Sequence, residues 1–343
     1  MPLSATLPGG SGRRFSPAGV RAGAPLSRIQ GADDALRLVA VPLAEAEHTL
    51  LGLVHSDVAA VPTVAGYLAA SGGKRLRPAL TALGALTIGF EGRLPKLMCV
   101  GELIHLGSLL HDDVVDEGEL RRGKATAHRV YGNAVTILTG DFCLARAVWL
   151  ASEEGGHLAV TALARAVTEM AEGEVLQLQR EGDLSCGRAQ YFEVINKKSA
   201  ALIAWSCAAA AYAAGDAPAA AALEKYGRGV GVAFQIADDI LDYHSGTGKN
   251  EGIDLQQRKV TLPLLYAFEH LPQLRATLEE RPLEADEIDG WIRQIRACGA
   301  LEQARADARR EIQAALEALE ELPEGLGREA LGVLGEHLVE RVR

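Results

Sequence analysis

Aromatic residues are scarce: they make up 5% of this 343-residue chain, with only three Trp. Alanine and leucine take their place, which favours packed helices over sheets. No strand-like alternation of useful length is present, and no short repeat. The five cysteines (Cys99, Cys143, Cys186, Cys207, Cys298) are odd in number and lack CxxC spacing, which speaks against a disulfide framework or a zinc site and for a reducing compartment. Cationic excess is missing too. The formal charge of −10 argues against nucleic acid as the main partner. No apolar run reaches transmembrane length. The nearest, Ser199–Gly215, is mostly alanine and stops at Asp216 and Pro218, so it is expected to be a buried core helix. Arg13-Arg14-Phe15 faintly resembles a twin-arginine signal, but no hydrophobic segment follows it. A convincing Ser/His/Asp or Cys/His set is also lacking, so no protein nucleophile is indicated.

The 48% hydrophobic content is ample for a sizeable core. Residues 1–30 are rich in Gly, Pro, Ser and Ala without apolar periodicity and read as a disordered tail. From near Ala32 almost to Arg343, apolar spacing near 3.6 recurs in segments separated by short breaks, at Ser71–Pro78, Glu117–Thr126, Glu153–His157 and Ser245–Arg258 among others. Residues 31–343 are therefore expected to form one all-α bundle of about ten to thirteen helices around a central cavity. Leu301–Arg343, with dense i,i+4 charge, reads as a solvated amphipathic hairpin.

The informative stretch is Leu103–Arg122, LIHLGSLLHDDVVDEGELRR. Asp112 and Asp116 lie one turn apart on one helix face, with Asp113 beside them. Gly118 and Gly123 place the helix end just beyond them, where the macrodipole disfavours negative charge. Three acids there need a cation, and oxygen-only donors suit Mg2+. The spacing recurs in Phe234–Tyr243, FQIADDILDY, as Asp238, Asp239 and Asp242. Two DDxxD clusters facing each other would make one polymetal, diphosphate-sized site. Either cluster alone reads as a solvated acidic helix end; their recurrence does not.

Cations accompany both clusters. Gly72–Pro78, GGKRLRP, offers Lys74, Arg75 and Arg77 in a short glycine-led loop suited to a diphosphate. Arg121 and Arg122 follow the first cluster; Lys249 and Lys259 flank the loop after the second. Lys197 and Lys198 interrupt an apolar helix, so one is expected to point inward. His105 shares the Asp112 face two turns back.

Together these elements resemble the trans-isoprenyl (polyprenyl) diphosphate synthases, most of all the long-chain bacterial members. From about Ala65 onward they stand in family order: GGKRLRP, ELIHLGSLLHDDVVDEGELRRG, HRVYGNAVTILTGD, GEVLQL, KSA, FQIADDILDY and GKxxGxDL…KxTLP. The resemblance implies an all-α isoprenoid synthase fold with a catalytic cavity. It implies metal ligation by Asp112, Asp113, Asp116, Asp238, Asp239 and Asp242, about three Mg2+ ions with bound diphosphate. Arg121, Lys198 and Lys259, with Lys249 nearby, would contact an allylic diphosphate. Lys74, Arg77, His105 and Arg122 would bind isopentenyl diphosphate. Ser199 and Gln235 would line the reacting centre. A homodimer, a cytoplasmic location and peripheral contact with membrane lipid are implied as well. Asn250, Arg258 and Ser199 stand where the family favours proline, glycine and threonine.

Product length is expected to depend on Ser108 and Gly107, four and five residues before Asp112, which are small where short-chain members carry an aromatic plug. A helical turn of about 5.4 Å approximates one prenyl unit, so the open face suggests about six to ten units, as in quinone side chains. The floor could also be set by Phe142, Trp149, Phe192 or Trp205. Alternatives are a short-chain farnesyl or geranylgeranyl diphosphate synthase, a class I terpene cyclase and a non-catalytic partner subunit. Two intact DDxxD clusters weigh against the last two.

Overall fold

The computed structural model describes residues 28–69, 75–121, 123–244 and 252–340. Lys74, Arg122, Lys249, Asn250 and nearly all of the expected tail lie outside them. The chain opens with α1 (Ala32–Leu38), α2 (Ala40–Leu53), α3 (Ala60–Ala69), α4 (Leu76–Thr87) and α5 (Leu94–Val115). A two-residue antiparallel pair follows, β1 (Leu120–Arg121) with β2 (Lys124–Ala125). Next come α6 (Ala127–Tyr131), α7 (Asn133–Leu150), α8 (Gly156–Gln179), α9 (Arg188–Ile195), α10 (Ala201–Ala214) and α11 (Ala217–Leu241). The last third holds α12 (Ile253–Gln256), α13 (Leu262–His270), α14 (Pro272–Glu280), α15 (Ala285–Ala297), α16 (Ala300–Leu319) and α17 (Leu326–Glu340). The all-α expectation holds. The helix number exceeds the expected ten to thirteen because several one- and two-turn helices, such as α6 and α12, are too short to show periodicity.

The alanine-rich α10 is the core helix that its composition suggested, buried without interruption from Ala201 to Ala211. Small residues on its neighbours make this possible. A Cβ on Gly231 of α11 would lie 2.6 Å from Ala200 Cα, and one on Gly227 would lie 2.7 Å from Ala204 Cα. On another side of α10, Gly84 of α4 abuts the Cys207 carbonyl oxygen, 2.3 Å from where a Cβ would stand. Thr81, one turn earlier on α4, donates to the Ser206 carbonyl at 2.8 Å. Backbones this close convert missing side chains into dense contact between helices.

Two π-helical turns interrupt the long helices. Ala151–Gly155 joins α7 to α8, and Gly156 directly after it adopts φ +69° and ψ −167°, so the helical path breaks within the expected Glu153–His157. Asn133–Gln179, α7 and α8 taken together, is long and apolar enough to cross a membrane by length and composition alone. Within the fold α7 packs along α5 and α8 along α10, as bundle helices do. The second π turn, Asn196–Ala200, joins α9 to α10.

The carboxy-terminal hairpin is less solvated than its charge suggested. Leu301, Ala304, Ala308, Ile312 and Ala315 of α16 are buried, and α16 packs along α11. Tyr266 of α13 donates to the buried Asp307 of α16 at 2.5 Å. At the other end of the chain, Ile29 is buried and its N–H donates to Glu329 of α17 at 3.1 Å.

The α4–α10 crossing yields a direct test. Gly84→Ala forces a methyl against backbone that cannot rotate away, so a loss of about 2 kcal/mol is expected in denaturant unfolding. A change below about 0.5 kcal/mol would show that the crossing is loose.

Candidate active site

Both acidic clusters sit where helices end. Asp116 is the residue on which α5 terminates, its N–H donating to the Asp112 carbonyl at 2.8 Å; Asp242 terminates α11. Each cluster therefore meets the negative end of a helix dipole. Between them lies a cavity of about 420 Å³ lined by Asp116, Lys198, Ser199, Gln235, Asp239 and Lys259, and also by Tyr191, Thr261, Arg180 and the apolar Val115, Leu178, Val194 and Ile195.

The π turn places the basic group. Lys197 turns outward to pair with Glu172, whereas Lys198 lines the cavity and pairs with Glu174 at 2.6 Å. Gly173 of α8 is what lets the turn come so close: a Cβ there would stand 2.4 Å from the Lys198 nitrogen. π turns of this kind recur at functional sites because the extra residue re-aims side chains.

A hydrogen-bonded line follows. Ser199 Oγ donates to Gln235 Oε1 at 2.7 Å, and Gln235 Nε2 donates to Asp239 Oδ1 at 2.8 Å. Tyr191 donates to Asp239 Oδ2 at 2.6 Å. Asp239, 4% exposed, is thus held by side chains rather than presented freely as a ligand.

Asp113 differs from Asp112 in the same way. It is 2% exposed and accepts from Arg121 Nε at 2.6 Å, so one helical step turns it away from the shared Asp112–Asp116 face. The Arg121 expected on the diphosphate is engaged by that carboxylate. Asp242 accepts the N–H groups of Ile253 and Asp254 at 3.2 and 3.0 Å, tying the second cluster to the loop that follows. These contacts give Asp113, Asp239 and Asp242 structural partners that the motif alone did not reveal. Asp238 is half-buried on α11.

Burial, reinforced by Glu174, pushes the Asp112 carboxyl up to about 6; Lys198 pulls the other way. Burial and Asp254 push Asp242 up to about 6 against its two backbone donors. Burial also raises Asp239. Burial works against the Lys259 charge, but Asp254, 3.2 Å away, and then Asp239 outweigh it and hold the ammonium above its usual range.

Among the described residues, no group of three His, Cys, Asp or Glu side chains is gathered closely enough to hold a metal alone. The donors still suit a hard cation. They are carboxylate oxygens whose charge is disfavoured by burial and by helix ends, so a divalent ion completed by phosphate oxygens and water fits.

Of the residues expected on isopentenyl diphosphate, Arg77 and His105 are described, and Arg75 belongs to the same basic loop. Arg75 is engaged by Glu47 and Glu102, at 2.7 Å each. Arg77, in the first turn of α4, keeps a buried Nε without a hydrogen-bond partner, and burial lowers its pKa. His105 is half-buried on α5, where its carbonyl accepts from Ser108 Oγ at 3.0 Å. Gly107 has a packing reason for its size, since a Cβ would stand 2.9 Å from the Gly140 carbonyl of α7. Of the aromatic floor candidates, Trp149 is 46% exposed and shares the Arg146 guanidinium with Phe142. Phe192 stacks edge-on with Tyr191. Trp205 alone is fully inside, 2% exposed, donating to the Ala159 carbonyl at 3.1 Å. Arg258 adopts φ +54°, a left-handed conformation that glycine takes freely.

Glu174, Tyr191 and Asp254 had no assigned role in the sequence. Tyr191 lies seven residues before Lys198, two turns on one face, which was the available signal.

Comparison with known proteins identifies the family. The polyprenyl synthetase family model matches residues 58–295. Octaprenyl diphosphate synthase of Escherichia coli is 38% identical over 89% of this chain and 98% of its own length. A geranyl-diphosphate-specific all-trans-nonaprenyl-diphosphate synthase of Rhodobacter capsulatus is 35% identical over 90% of this chain and 98% of its own. A polyprenyl synthase of Caulobacter crescentus, solved with calcium and isoprenyl diphosphate, superposes with a TM-score of 0.86 at 39% identity, over 92% of this chain and all of that one. The chain belongs to the polyprenyl synthetase family. It is an enzyme of the prenyltransferase class.

The raised acids predict a pH signature. An unfolded carboxyl titrates near 4 and the folded Asp112 near 6, so the folded state holds its proton longer. Ligand-free stability therefore falls as pH rises between those values. Asp112→Asn is expected to stabilise the ligand-free protein by about 1 kcal/mol at pH 7.5 and by little at pH 4.5, read by thermal melts. Destabilisation at pH 7.5 would contradict the assignment.

Proposed function

We propose that the enzyme condenses isopentenyl diphosphate with an allylic diphosphate, head to tail and all-trans, to a long-chain polyprenyl diphosphate of the kind used for quinone side chains. The observation that carries this reading is the cavity in which Lys198 and Lys259 face two acidic helix ends: a ligand bearing a diphosphate and divalent cations balances both signs. The names of the relatives, octaprenyl and nonaprenyl synthases, support a long product.

In this reading Asp112, Asp116 and Asp238, with Asp239 and Asp242 behind them, hold Mg2+, which supplies charge neutralisation for the leaving diphosphate. Lys198 and Lys259 take up the charge of the departing group, so the allylic C–O bond ionises. Lys198 must exchange Glu174 for phosphate oxygens as the substrate enters. Arg77, whose Nε has an open donor, and His105 orient isopentenyl diphosphate so that its double bond attacks the allylic cation. The attack leaves a tertiary cation on C3 of the isopentenyl unit, and a proton is then lost from its C2 to form the new double bond, with the released diphosphate as acceptor. Val115, Leu178, Val194 and Ile195 keep water from the cation.

Homodimerisation fits the same reading. Helices α7 and α8 leave Val135, Leu138, Val148, Trp149, Leu158 and Val175 exposed, apolar surface suited to a second copy. Light scattering at twice the 36.3 kDa chain mass is the check.

Purified protein given magnesium, farnesyl diphosphate and labelled isopentenyl diphosphate is expected to build products of about six prenyl units or more, sized after dephosphorylation. Trp205→Ala, which clears the interior aromatic, is expected to lengthen the product by about one unit. No incorporation with any allylic primer by a folded sample overturns the synthase reading, and products ending at about four units move it to the short-chain class.

A further inference from the structure

The structure assigns to Tyr191 a positioning role in the condensation: through Asp239 it fixes which end of the Gln235 amide faces the reacting centre. This rests on the synthase reading above. An amide has two ends of opposite polarity, and a glutamine side chain can flip between them at small steric cost. Here the direction is set at both ends. Asp239 Oδ1 accepts from Gln235 Nε2 at 2.8 Å, so the donor end is spent on the carboxylate. The carbonyl end then faces Ser199 and accepts its hydroxyl proton at 2.7 Å. With that proton committed to Gln235, the lone pairs of Ser199 Oγ are left for the cavity that both residues line.

Asp239 can enforce this direction only if its own plane is fixed. Tyr191 supplies that constraint by donating to Oδ2 at 2.6 Å, which turns Oδ1 toward Gln235. Tyr191 is itself held, 5% exposed and edge-on to Phe192 with ring centroids 5.5 Å apart. The line Tyr191–Asp239–Gln235–Ser199 thus presents the negative ends of two dipoles to a growing positive charge. Preorganised dipoles of this kind act on the transition state without reorganising during the reaction. A flipped amide would present its N–H hydrogens instead and repel the cation.

The test is Tyr191→Phe, with Asp239→Asn as the second variant because its amide tolerates either orientation of Gln235. Wild type and both variants are assayed for kcat, for KM of each diphosphate, and for the fraction of allylic substrate released as prenyl alcohol rather than elongated. Tyr191→Phe is expected to lower kcat by about tenfold, to leave both KM values within about twofold, and to raise the alcohol fraction. Loss of packing alone does not produce that partition change in a protein whose melting temperature is retained. If both variants elongate like wild type with an unchanged alcohol fraction, or if Tyr191→Phe raises KM at constant kcat, the positioning role is wrong. A folded wild type that forms no product removes the synthase reading itself, and with it the purpose of this line.

Discussion

The constraint on which everything else turns is electrostatic. Two helices, α5 and α11, end in carboxylates, so side-chain charge and helix dipole repel at the same points. Burial aggravates this, as the raised Asp112 and Asp242 show. A fold that keeps so unfavourable an arrangement holds electrostatic strain at its site, which bound cations would relieve. The same charges cannot bind an anion directly. In the proposed reading the acids would hold metal ions that neutralise a diphosphate, with Lys198 and Lys259 taking the remaining charge.

The scaffold holds these groups in place by minimising side chains elsewhere. Gly173, Gly227 and Gly231 let α8 and α11 approach α10 and the π turn before it at backbone distance. Lys198 and Ser199 therefore project from a segment with almost no room to shift. In the proposed reading the apolar lining would keep water from a carbocation that it would otherwise quench.

Much of this was legible in the sequence. DDxxD spacing behind apolar helix faces located both acid clusters, and the alanine run Ser199–Gly215 read correctly as core. What sequence could not supply was partnership across the chain. Asp113 and Asp112 are adjacent, yet a rotation of about 100° per residue sends one to Arg121 and leaves the other on the cavity face. Arg75 and Arg77 look equivalent in GGKRLRP, but only contacts with Glu47 and Glu102 show that the first is already engaged. The Tyr191–Asp239 bond spans 48 residues. The π turn Asn196–Ala200 was hidden because one added residue leaves apolar periodicity nearly intact over so short a stretch.

The central claim is that metal and diphosphate complete this site together, since no three ligating side chains among the described residues gather a cation alone. Calorimetric titration of magnesium into the ligand-free enzyme, with and without inorganic diphosphate, tests it most directly. Weak binding of magnesium alone, near or above about a millimolar, and at least about tenfold tighter binding with diphosphate present are predicted, the gain being lost in Asp112→Asn. Equally tight magnesium binding without diphosphate would contradict the account, because it would mean that the carboxylates already form a finished metal site.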